Sequence, residues 1–133
     1  MADIERGHPR TIIAELQSRD AAPEMVHAIA AHADFLGVPA HTDLDRTLLA
    51  VDELCGFLVA CAWVRPEGIH GLTPKSVKKK LKQPSFAAAV NRDDVRGGAD
   101  QLGVDFHSHV AFVIAALQAR ADELELHGRE AGA

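Results

Sequence analysis

Apolar positions along this chain recur with the period of an α-helix, and no stretch alternates as a half-buried strand would. Behind Pro9, which suits a first helical position, residues 11–19 place Ile12, Ile13 and Leu16 on one face. A short turn at Ala21-Ala22-Pro23-Glu24 starts a second helix, with Met25, Val26, Ile29, Ala30 and Ala33 at helical spacing. Residues 37–41 form a connector containing Gly and Pro. Thr42 followed by Asp45 resembles a capping box, with Asp in the usual place of Glu. The helix behind it, residues 44–64, is apolar nearly all round, which predicts a central, buried element.

Arg65-Pro66 stops that helix, and residues 67–72 make a loop with two glycines. Thr73-Pro74 starts a helix over 75–82, which Gln83-Pro84 ends. Asn91, with Asp94 three residues on, caps another that terminates near Gly103. Asp105 caps the last, residues 106–126, before Gly128 and a frayed tail over 127–133. No internal repeat or low-complexity linker interrupts the pattern. The expectation is an all-α fold, a single-domain bundle of six or seven helices over residues 1–133.

Length and composition agree with one globular domain: 133 residues, 47% apolar and 25% charged. With aromatics at 5% and no Tyr, the core must be built from Leu, Val, Ile and Ala. A net charge of −5 argues against a nucleic-acid binder. Residues 47–64, the longest hydrophobic run, carry Asp52 and Glu53 at their centre, which argues against a membrane span. Cys55 and Cys61 lie six apart on one helix and point in different directions, so the expected state is reduced, soluble and cytoplasmic. The first residues contain no apolar signal-peptide core.

Asp52 is the residue with most chemical content. A carboxylate among Leu48, Leu49, Cys55 and Gly56 must be paired, hydrogen-bonded, protonated or metal-bound if it is enclosed. Pairing with Arg10 or Arg46, or a position at the helix edge, accounts for it without function. Glu53, about 100° further round, is expected to be solvated or paired. The eight His residues form no local metal motif, so any site they share must assemble from separate helices. Residues 76–82 hold four lysines, either a solvated face or an attractor for a phosphate-bearing ligand through Lys78, Lys79 and Lys80. Without interleaved aromatics or a phosphate-binding Gly loop, nucleic-acid recognition gains no support.

Taken together, several segments resemble the bacterial HD-domain (HDIG-like) hydrolases, and within them a small-protein subgroup. They are His8-Pro9, Ala21-Ala22-Pro23-Glu24 leading to Ala28-Ile29-Ala30-Ala31-His32, and Leu49-Ala50-Val51-Asp52-Glu53-Leu54-Cys55-Gly56-Phe57. Then follow Ala62-Trp63-Val64-Arg65-Pro66, Lys75-Ser76-Val77-Lys78-Lys79-Lys80, and Phe86-Ala87 with Val90-Asn91-Arg92. The likeness spans residues 8–126, and its last segments are particular to the subgroup.

The resemblance implies an all-α fold and metal-dependent hydrolysis of a phosphoester or phosphoanhydride in a phosphorylated small molecule. It implies a divalent metal (Mn, Mg, Fe, Co, Ni or Zn) with Asp52 as a ligand and His8 and His32 at matching further positions. The chain departs from the family pattern in one respect: the first His and the His-Asp doublet have no counterpart, since no adjacent His-Asp pair occurs. On that reading the chain corresponds to the C-terminal part of an HD domain, N-terminally incomplete and inactive or weakened as it stands. Two His and one Asp from three helices still suit a facial metal site. Apolar surface left open on the central helix predicts a homo-oligomer. A non-catalytic helical protein that self-associates or binds a partner is the alternative.

Overall fold

A short polar side chain ahead of an apolar run starts most of these helices by accepting one of the backbone N–H groups that the first turn leaves unpaired. In the computed structural model, which describes residues 9–33 and 36–128, Thr73 Oγ1 accepts from Ser76 N at 3.2 Å and Asn91 Oδ1 from Asp94 N at 3.1 Å. Asp105 Oδ2 accepts from Ser108 N at 3.0 Å. Thr42 and Asp45 close the expected box: Thr42 Oγ1 accepts from Asp45 N and Asp45 Oδ2 from Thr42 N, both at 3.1 Å.

Seven helices result, with no strand among the described residues. They are α1 (Arg10–Ser18), α2 (Pro23–Ala31), α3 (Asp43–Trp63), α4 (Pro74–Leu81), α5 (Arg92–Leu102), α6 (Phe106–Ala119) and α7 (Ala121–Leu124). The protein is all-α, as its periodicity predicts. The chain divides into two bodies, Met1–Leu49 and Ala50–Ala133, and α3 contributes to both.

In the first body α1 packs on α2. Its buried apolar side chains among the described residues are small ones: Pro9, Ala28, Ala31 and Ala33. The second body holds the large core. Leu54, Phe57 and Leu58 of α3 are fully buried with Ile69, Val77, Val95 and Val110. Each such side chain contributes about 1.5–3 kcal/mol by leaving water. Gly98 of α5 lets two backbones approach, since a Cβ there would meet the Ala50 backbone at 2.7 Å.

Two expectations are corrected. The helix over 106–126 is broken: Arg120 leaves the helical region at φ −118°, and Glu125 turns left-handed at φ 56°. The break returns the chain, so that Leu126 is buried and its carbonyl accepts from Ile69 N at 2.8 Å. His127 and Gly128, placed in the expected tail, are therefore held, whereas 129–133 lie outside the described residues. Second, α3 is not enclosed all round. Ala50, Leu54, Phe57, Leu58 and Cys61 share its buried side, which leaves Asp52, Gly56 and Trp63 exposed on the opposite one.

Candidate functional site

Asp52 stands in solvent on the outer side of α3, so the expectation of an enclosed carboxylate is overturned. Nor does it pair with Arg46, whose Nη2 donates to Asp43 Oδ1 at 2.6 Å and Nη1 to His41 O at 3.0 Å. Among the described residues Asp52 makes no hydrogen bond or ion pair; its charge adds to burial in raising the pKa of Cys55. Glu53 is engaged, with Oε2 accepting from Asn91 N at 3.2 Å. His32 ends α2, and its Nδ1 contacts Ile29 O. It belongs to the first body and Asp52 to the second. His8 lies outside the described residues. Among the described residues no three His, Cys, Asp or Glu side chains are grouped to hold a metal ion.

A His-Asp-His cluster forms elsewhere, at the start of α3. Asp45 is fully buried, and its Oδ2 accepts from His41 N at 2.9 Å as well as from Thr42 N. His27 Nδ1 lies 2.8 Å from the same oxygen, off the axis of a hydrogen bond, while Oδ1 has no partner among the described residues. The His27 and His41 rings stack at 5.5 Å. Burial raises the Asp45 pKa, but the two backbone donors, the Thr42 side chain and His27 outweigh it and bring the value down to about 2. Asp45 thus stays ionised and ties α2 and the 37–41 connector to the start of α3. Sequence reading found its capping role but not its two imidazole neighbours, which come from other segments.

Near the C-terminus His70 Nε2 and His127 Nδ1 are 2.8 Å apart, and His127 Nε2 meets Asp122 Oδ1. All three residues are exposed. This carboxylate–imidazole–imidazole chain clips the last described residues to the loop after α3.

The second body also contains a cationic pocket of about 310 Å³. Cys61 and Leu72 line it with Arg65, Ser76, Lys79, Lys80 and Gln83. The last four residues sit at i, i+3, i+4 and i+7 on one face of α4 and its end, which is the pattern that could have revealed them from sequence. Of the three lysines expected to attract an anion, Lys79 and Lys80 line this pocket. Lys78 does not, its Nζ standing 6.0 Å from the centroid of the Phe106 ring.

No family model, curated protein or solved structure matches this chain. No single helix among the described residues is long and apolar enough to cross a membrane.

Proposed function

We propose that this chain is an HD-type hydrolase relative, whose class of reaction is metal-dependent hydrolysis of a phosphoester or phosphoanhydride. Asp52, His32 and His8 are the proposed metal ligands. The ordered run of segments from His8 to Arg92 is what supports and carries the reading. The Asp52 carboxylate, within the stretch 49–57, is exposed and uncommitted among the described residues, so nothing there competes with a cation for its oxygens. The described residues do not assemble a ligand set by themselves, so on this reading the remaining ligands come from outside them.

Elemental analysis of the purified chain after reconstitution with Mn or Fe tests this reading, alongside turnover of p-nitrophenyl phosphate. Stoichiometric metal that disappears in Asp52→Ala and in His32→Ala is the expected result. A chain that retains no metal and turns nothing over favours the second reading, a non-catalytic helical protein that self-associates. That alternative is supported by Trp63, 62% exposed beside Gly56 and Asp52 on α3. It predicts that sedimentation equilibrium detects a dimer which Trp63→Lys dissociates.

A further inference from the structure

Helix α4 directs its two kinds of side chain to opposite sides. Val77 and Leu81 are buried in the core, which holds the helix in a fixed rotation and presents Ser76, Lys79 and Lys80 to the pocket. Lys80 is half-buried, and its Nζ lies 4.7 Å from the centroid of the Phe86 ring, so its ammonium is placed rather than free to sweep solvent. Arg65 lines the same pocket. Its Nε donates to Gly68 O and its Nη2 to His70 O, both at 3.0 Å, which fixes the plane of the guanidinium. Nη1 has no partner among the described residues.

The charges add up to one sign. Three cations line the pocket, and no carboxylate does. Glu67, whose Oε2 lies 3.9 Å from Arg65 Nη2, is outside the lining. The pocket floor feels this field: burial lifts the Cys61 thiol to about 11, while Lys80, Arg65 and Arg92 pull in the other direction. Cys61 therefore remains a neutral thiol and not a nucleophile. Three cations, a serine hydroxyl and a glutamine amide lining one pocket, with a neutral thiol among them, suit the charge and hydrogen-bonding needs of an oxyanion.

We infer that this pocket binds a phosphoryl group, through Arg65, Lys79 and Lys80 with Ser76, as free phosphate or as the head of a small phosphomonoester. The inference goes beyond the hydrolase reading and does not require it, since binding here needs neither metal nor turnover. Two sources of the group remain, and size distinguishes them. A site closed over inorganic phosphate excludes an ester substituent, whereas an open one accepts it.

Isothermal titration calorimetry of the full chain at constant ionic strength, with inorganic phosphate and with phenyl phosphate, is the test. Saturable binding of at least one of them, above a sodium chloride blank, is expected. Lys79→Glu, at an exposed position that leaves the fold intact, should weaken it by about tenfold or more. The double variant Lys75→Ala/Lys82→Ala removes two nearby lysines outside the pocket, at the start and the C-cap of the same helix, and should keep the wild-type affinity. Loss of binding in that control to the same degree would reduce the effect to diffuse charge and overturn the site. So would the absence of saturable binding by either ligand. Because the readout is equilibrium binding, a failed hydrolase assay leaves this result standing, and the converse holds as well.

Discussion

The guanidinium of Arg92 gathers a loop that has no regular structure of its own. Nη1 donates to Ala87 O at 2.6 Å and Val90 O at 3.2 Å, and Nη2 to Gln83 O at 3.1 Å and to Phe86 O. Its Cζ stands 5.1 Å from the centroid of the Phe57 ring. Those carbonyls have to find donors, and Ala87 holds a left-handed φ of 47° within the same loop. Arg92→Met keeps the stem and removes the donors, so urea unfolding should register a loss of about 2–3 kcal/mol. Arg92→Lys should recover only part, because one ammonium cannot span four carbonyls. An unshifted midpoint in Arg92→Met would mean that water serves the loop equally well. Gly128 makes a different demand: at φ 92° a Cβ would come within 2.2 Å of Pro66 O and 2.4 Å of Gly68 N. Both partners are backbone and cannot rotate aside. Gly128→Ala should therefore lose about 2 kcal/mol or more in the same titration, whereas Gly103→Ala meets no atom within 4 Å and incurs only its φ of 68°.

At the scale of elements, α3 shows what sequence can and cannot specify. Its start was legible because a capping box is a local device, complete within Thr42 to Asp45. The orientation of Asp52 was also latent in the wheel. Once Ala50, Leu54, Phe57 and Leu58 define the inner side, Asp52 falls opposite. Apolar Val59 and Trp63 on the acid's own side disguised it, since burial of a face depends on what packs there and not on its composition. The break at Arg120 had no local signal either; it follows from the distant pairing of Leu126 with Ile69. Asp45 gives α3 a measurable pH dependence. Its pKa lies below the ordinary 3.8, at about 2, so its contribution is fully present above about pH 4 and fades as pH falls through about 2. Chemical denaturation of wild type against Asp45→Asn should show a stability difference that is constant near neutrality and shrinks across that acid window. A difference that grows on acidification would mean that Asp45 is strained in the fold and not stabilised by its donors.

At the scale of the whole chain, the two bodies differ in what holds them. Residues 50–128 bury Leu, Phe, Ile and Val side chains from α3, α4, α5 and α6. Among its described residues the first body buries alanines, a proline and one carboxylate, and Ile13, Leu16, Val26 and Ile29 stay only partly covered. A buried alanine removes far less apolar area from water than a leucine, so per described residue the first body gains less against its conformational entropy. Local opening free energies should follow that difference. Native-state amide exchange should find α1 and α2 opening at lower free energy than the stretch 54–62 of α3, with protection rising along α3 from its capped start toward Leu58. Increasing denaturant should release the N-terminal amides first and the 54–62 amides only in the global transition. Uniform protection over both stretches would refute this, because it would require the alanine-lined body to be held as firmly as the leucine-lined one. Ala31→Leu would then decide whether tight packing of small residues makes up the difference: a side chain three carbons larger is tolerated only where the neighbours leave room.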